Sequence, residues 1–195
     1  MMTCEYQGEP LGEPRSHPWT DAVSDAAFRY HDLRATPALI RSALEDFVPF
    51  ETTDAVEAFY GLLEWLNAPG SSLESNDCAF TGPADNEHPA FSQRLGCSGR
   101  LMILRRALAR NVVAGSAERL AIGLHRALAR LEPDFTAGIV GTTLVPVRFL
   151  ALPPEARLGQ QLMISFWAFG ETEAEVMENL LRVVRNLSSA LRAHA

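Results

Sequence analysis

One segment near the C-terminus, residues 160–169, constrains the fold most, because it has the pattern of a β-strand that is apolar on both faces. One set of alternate side chains is formed by Leu162, Ile164, Phe166 and Ala168. The other set contains Met163, Trp167 and Phe169, interrupted by Gln161 and Ser165. An antiparallel strand with one face in water alternates apolar and polar residues. We therefore expect both faces of this strand to be covered.

The chain around this strand predicts two strand-strand-helix units. Strands are expected at residues 73–81, 99–109, 138–150 and 160–169. A helix is expected after each pair, over residues 116–131 and again from Thr172, where Thr172 and Glu175 have the spacing of a capping box. This order favours an α+β fold in which a four-stranded, mostly antiparallel sheet is built as ββα-ββα.

The first third of the chain has a different pattern. Residues 1–18 mix glycine and proline with polar residues, which is typical of a flexible leader. Residues 19–67 have apolar residues at helical spacing, broken near Pro37 and Pro49, so an α-helical N-terminal part is predicted. We expect residues 19–195 to form a single α+β domain, with the ββαββα part at 73–194.

Charge and composition exclude several classes of function. The net charge is −7, which disfavours nucleic acid as a partner. All basic residues other than histidine are arginines, so a Schiff-base or P-loop lysine is excluded, and the bias is typical of a GC-rich bacterium. No apolar run exceeds four residues, as from Leu101 to Leu104, against the roughly 20 that span a bilayer. With no signal-peptide pattern, and with three cysteines that are expected to stay reduced, a cytoplasmic protein is predicted.

Reactive side chains are densest in residues 74–78 and 85–88. Asp77, Cys78 and His88 are the candidates for a nucleophilic site, with Asn76 as the alternative to Asp77, since a cysteine needs a base and an orienting group. The same region suggests a zinc site with Cys97, but its spacings match no known ligand pair. A paired-carboxylate site could use Glu74, Asp77, Asp85 and Glu87. The favoured interpretation is a solvated connection at residues 82–99 beside a buried cysteine, with no metal and no cofactor.

An arginine-rich stretch follows, formed by Arg100, Arg105, Arg106 and Arg110. Guanidinium groups bind carboxylate or phosphate in a bidentate manner. On a strand, however, Arg105 would oppose Arg100 and Arg106, so we interpret these residues as partners of the protein's own acids. The glycine- and histidine-based sequence motifs of the large enzyme families are absent.

The apolar second face therefore carries the functional hypothesis. Its residues are Met163, Trp167 and Phe169, with Met102 and Leu104 on the neighbouring strand. We expect a non-enzymatic interaction protein that uses this face for homodimerisation or for a protein partner, and alternatively a small cysteine- or metal-dependent enzyme around Asp77, Cys78 and His88. The cover of the face could be residues 19–67, a second copy or another protein. In composition alone the chain is similar to bacterial secretion chaperones and immunity proteins, with which it shares no motif.

Overall fold

A computed structural model describes residues 3–7, 14–18, 32–42, 53–152 and 155–194. Within these residues seven strands are formed, and their bounds are β1 Thr3–Gln7, β2 Arg15–His17, β3 Leu73–Phe80, β4 Ala84–Asp85, β5 Leu95–Arg105, β6 Gly138–Phe149 and β7 Arg157–Gly170. The helices are α1 Leu39–Ser42, α2 Asp54–Asn67, α3 Ser116–Leu131 and α4 Glu173–Arg192. A short 3-10 helix, Leu108–Arg110, follows β5.

The seven strands form one mixed sheet. Its central order is β6-β7-β5, all antiparallel neighbours. β1 and β2 both lie along the outer side of β6 and run parallel to it, whereas β3 and β4 lie along the outer side of β5 and are antiparallel to it. The two outer positions are therefore each filled by an interrupted strand.

This architecture corrects the sequence prediction of a four-stranded antiparallel sheet preceded by a helical third. β1 and β2 come from the first 18 residues, where a leader was expected, and they add the parallel pairing. A short segment that adds to an exposed edge takes its hydrogen bonds from the neighbouring strand and needs no strong pattern of its own. Of the predicted N-terminal helices, α2 is present and α1 is a single turn. Most of the predicted helix at 19–34, and residues 43–47 of the next one, lie outside the described residues.

The helix ends follow local side-chain chemistry. At α4 the predicted capping box is confirmed: the hydroxyl of Thr172 accepts a hydrogen bond from the Glu175 amide at 3.2 Å. The Glu175 carboxylate in turn accepts one from the Glu171 amide at 2.9 Å. At the C-terminal end of α2, the Asn67 side-chain amide donates a hydrogen bond to the Ser75 hydroxyl at 2.7 Å and so links that helix to β3.

α2, α3 and α4 cover one face of the sheet, which we call the first face. Their apolar side chains form one core with the inward side chains of β5, β6 and β7. Phe59 of α2, for example, packs against Phe166 of β7 with ring centroids 5.8 Å apart. Because α2 lies here, it does not cover the opposite, second face, which was one of the alternatives for residues 19–67.

Both ends of the second face are covered by other segments of the chain. At one end Leu104, Val147 and Phe149 pack beneath residues that follow β5 and β6. At the other end the β4–β5 connection folds back, and the ring of Phe91 stacks on Phe169 with centroids 4.0 Å apart. The predicted connection at 82–99 is thus shorter than expected, since β5 already begins at Leu95.

The sheet also curls over its second face. Arg15 of β2 contacts Asp77 of β3 at 3.0 Å, and His17 contacts Glu74 at 3.4 Å. In a flat sheet these two strands would lie four spacings apart, roughly 19 Å. Side chains cannot span that distance, so the two edges must approach each other. The sheet is therefore a partly closed barrel, joined at this point by the Arg15–Asp77 ion pair and the His17–Glu74 contact.

Candidate functional site

A row of small side chains crosses the second face. Directly paired residues of neighbouring strands point to the same side of a sheet. The pairings place five residues in one such row, in the order Ala79, Arg100, Ser165, Gly141 and Glu5. Three of them have a side chain no larger than a hydroxymethyl group. These small side chains make the row lower than the rows on either side of it, and we call the row the trough.

Large side chains border the trough on both sides. On one side Trp167 is half-buried and leans over Gly141, where a Cβ atom would lie 3.5 Å from its Cζ3. On the other side are Met163 and Met102, which pair directly across β7 and β5. Met163 is half-buried and Met102 is only 3% exposed.

Two cavities meet at Trp167. The smaller has a volume of about 220 Å³ and contains the Arg100 end of the trough, with Ala79, Ser98 and Ser165 in its wall. The larger, about 500 Å³, lies between the β3–β5 connection and the sheet and reaches His88 and Phe169. Trp167 is thus accessible from two directions.

Arg100 supplies the charge in the smaller cavity. Its Nη2 atom donates to Oδ2 of Asp77 over a long 3.4 Å, and its side chain is 39% exposed. The same oxygen accepts a closer hydrogen bond, 3.0 Å, from Nη1 of Arg15. Asp77 is therefore shared between two guanidinium groups and neutralises Arg100 only in part.

Hydroxyl groups lie next to this charge. Ser98 lies on the same face of β5 as Arg100, two residues before it in the chain, and pairs with Trp167. Its hydroxyl oxygen is 2.9 Å from that of Thr81, which also donates to the Ser98 carbonyl at 3.0 Å. These bonds tie the start of the β3–β5 connection to the cavity wall.

The five predicted binding residues differ in how much of their surface is exposed. Phe169 and Leu104 are each 1% exposed, and they are covered by the chain itself together with Met102. Of the five residues predicted to form the apolar binding face, Trp167 and Met163 keep accessible surface.

The residues of the alternative catalytic site are not brought together. Asp77 pairs with Met102 and lies on the second face, whereas Cys78 pairs with Leu101 and points to the first face. His88 packs against Trp167, with ring centroids 6.0 Å apart, also on the second face. Burial raises the pKa of the Cys78 thiol to about 12, and Asp77 adds to the shift, so at neutral pH the thiol is protonated and a poor nucleophile.

Metal ligands are also dispersed. Cys97 pairs with Ala168 on the first face, and burial raises its pKa to about 12. Within the described ranges no three histidine, cysteine, aspartate or glutamate side chains are grouped so that they could hold a metal ion.

The arginine stretch separates in space as well. Arg106 donates to the carbonyls of Leu66 and Pro69 at the end of α2, and its Nε lies 3.9 Å from Glu74. The interpretation of Arg100 and Arg106 as partners of the protein's own acids is therefore confirmed. The sequence analysis did not predict that Arg100 also lines a cavity beside Trp167. The alternation of Ser98, Arg100 and Met102 was the sequence pattern that could have indicated that these side chains share one face.

Comparisons with protein-family models, with curated proteins and with solved structures found no match. In the described part of the chain no helix combines the length and the apolar character needed to cross a membrane.

Proposed function

We propose that this chain is a non-enzymatic binding protein whose recognition surface is the trough and its two cavities. The observation that carries the proposal is Trp167, a half-buried tryptophan that borders both cavities on a sheet face whose two ends are covered by the chain. Tryptophan is among the residues that contribute most to binding at recognition sites. Met163, across the trough, adds a flexible apolar surface.

The shape of the surface favours a small ligand over a broad protein interface. Small-molecule sites are concave and usually enclose 300–1,000 Å³. The larger cavity, about 500 Å³, falls within this range. A stable protein interface buries about 800 Å² on each partner, and the flat apolar parts of this face are already covered at Leu104 and Phe169. Homodimerisation through Trp167 remains a prediction, and the experiment below tests it too.

The positions of the candidate catalytic residues support a binding role. Asp77 is engaged by two arginines, and Cys78 lies on the opposite face with a protonated thiol. An acid–base or nucleophilic mechanism requires its groups within hydrogen-bond reach of a common substrate. No observation among the described residues favours the alternative of a cysteine- or metal-dependent enzyme.

The proposal is tested with a panel of small aromatic compounds, whose binding is followed by ligand-observed NMR. Three proteins are compared: the wild type, Trp167→Leu, and Trp65→Leu as the control, because Trp65 lies on α2, which packs on the first face. We expect compounds to bind the wild type and the control but not Trp167→Leu. Equal binding by all three proteins, or no binding to any, contradicts the proposal.

Sedimentation velocity on the same proteins tests whether a second copy of the chain, and not a small ligand, occupies this surface. A wild-type dimer that dissociates in Trp167→Leu but persists in Trp65→Leu would assign this surface to a second copy of the chain. A monomer in all three cases is the result that we expect for a ligand site.

A further inference from the structure

We infer that the ligand of the trough is a small aromatic carboxylate, with its carboxylate on Arg100 and its ring against Trp167. The inference rests on the proposed function and adds the chemistry of the ligand. It follows from one juxtaposition: a partly exposed, incompletely paired guanidinium group and a half-buried indole ring line the same 220 Å³ cavity.

The state of Arg100 is the first argument. Arg41, on the protein surface, makes three hydrogen bonds of 2.8–3.0 Å to Glu57 and Glu64. Arg100, by contrast, makes a single side-chain hydrogen bond within the described ranges, 3.4 Å long, to an oxygen that Arg15 already holds. A guanidinium group binds a planar carboxylate through two parallel hydrogen bonds. Arg100 therefore has capacity for a ligand anion that Arg41 does not have.

The hydroxyl groups beside Arg100 support the same orientation. Ser165 pairs directly with Arg100 in the trough, and Ser98 is the preceding residue on the same face of β5. Both residues line the smaller cavity. The Ser165 hydroxyl group can donate to a carboxylate oxygen, as serine commonly does, whereas Ser98 gives its hydroxyl proton to Thr81.

The charge of the site favours a carboxylate over a phosphate. Arg100 is partly neutralised by Asp77, and the whole protein carries a net charge of −7. A phosphate monoester carries a charge near −2 at neutral pH. A single, partly compensated arginine matches one negative charge better than two.

The size of the cavity limits the rest of the ligand. At about 220 Å³ it is smaller than the sites of drug-sized ligands. Trp167 provides a flat wall on which a ring can stack or pack edge to face. A single aromatic ring with one carboxylate fits both observations.

The inference is tested by isothermal titration of phenylacetate and of its neutral analogue phenylacetamide. With the wild type we expect phenylacetate to bind at least tenfold more tightly, which is the scale of a charge-assisted hydrogen bond. In Arg100→Gln this preference should fall to about twofold or less, a reduction by a factor of five or more. Arg148→Gln is the matched control, because it removes an exposed arginine of β6 with the same loss of charge and should keep the preference.

The results separate the two proposals. If both probes bind the wild type equally, or if Arg100→Gln keeps the preference, the carboxylate inference is wrong and the binding role of Trp167 stands. If neither probe binds, the inference is wrong, and the wider aromatic panel decides the proposed function independently. The comparison of the two probes on the wild type needs no variant, so it holds even if Arg100→Gln does not fold.

Discussion

Asp77 and Cys78 are neighbours in the chain, yet β3 directs their side chains to opposite faces of the sheet. Asp77 meets two arginines on the second face, and Cys78 packs against the helix-side core. Their chemistry differs accordingly: one is an ion-pair partner and the other a protonated thiol. For residues on a strand, the side of the sheet decides the role more than proximity in sequence does.

Cys97 gives a prediction at the residue scale. Burial raises the pKa of its thiol from the usual 9.0 to about 12 in the folded protein. The unfolded chain releases this proton at a lower pH than the folded protein does. The free energy of unfolding therefore keeps its full value below pH 9 and falls as the pH rises from about 9 to 12. At pH 10 the loss is about 1 kcal/mol. Urea unfolding at pH 8 and pH 10 should therefore show a smaller pH-dependent loss for Cys97→Ala than for the wild type; parallel losses contradict the burial of this thiol.

At the scale of elements, β5 and β7 pack together through a glycine. Gly99 of β5 pairs with Phe166 of β7, and a Cβ atom at Gly99 would collide with the phenyl ring. That ring also packs against Phe59 and Phe80, with centroids 5.8 Å away in each case, so it has little room to move. The glycine is needed for space at this point.

Two glycine substitutions test this packing. Gly99→Ala should destabilise the protein by about 1–3 kcal/mol, because it overpacks the core around Phe166. Gly61→Ala is the matched control: it lies within α2 with no atom near the added methyl group, and it should stabilise the protein by up to about 1 kcal/mol through helix propensity. Both changes are measured as free energies of unfolding in urea, and changes of the same sign would contradict the packing described here.

At the scale of the whole molecule, polar side-chain contacts hold the two edges of the curled sheet together. Glu74 is 6% exposed and lies within 3.4 Å of His17, 3.3 Å of Arg34 and 3.9 Å of Arg106. It thus links β3 to β2 and to the segment that precedes α1. This closure gives the second face the curvature in which the trough lies.

Glu74→Gln should cost about 3 kcal/mol of stability, because it leaves the largely buried side chain of Arg106, 15% exposed, without its charged partner. The control is Glu57→Gln, which breaks an exposed pair with Arg41 and should cost less than about 1 kcal/mol. Chemical unfolding of both variants beside the wild type provides the comparison. Equal and small effects would mean that the edges of the sheet are held together by other contacts.

Much of the C-terminal part could be predicted from local pattern. The strands at 73–80, 138–149 and 157–170, the helices at 116–131 and 173–192 and the cap at Thr172 depend on alternation, periodicity and side-chain hydrogen bonds between near neighbours. The requirement that the strand around Trp167 be covered on both faces also follows from its composition, and the structure places Phe169 at 1% exposure. These features depend on residues within a few positions of each other.

The remaining features were decided by tertiary structure. The pairing of β1 and β2 with β6, the position of α2 on the first face and the approach of Arg15 to Asp77 join residues that are far apart in the chain. The trough exists only because Ala79, Arg100, Ser165 and Gly141 come into one row through strand register. The sequence alone thus determined which segments are strands and helices and that both sheet faces need cover. Which segments provide that cover, and where a cavity remains beside Trp167, depended on long-range packing that no local pattern encodes.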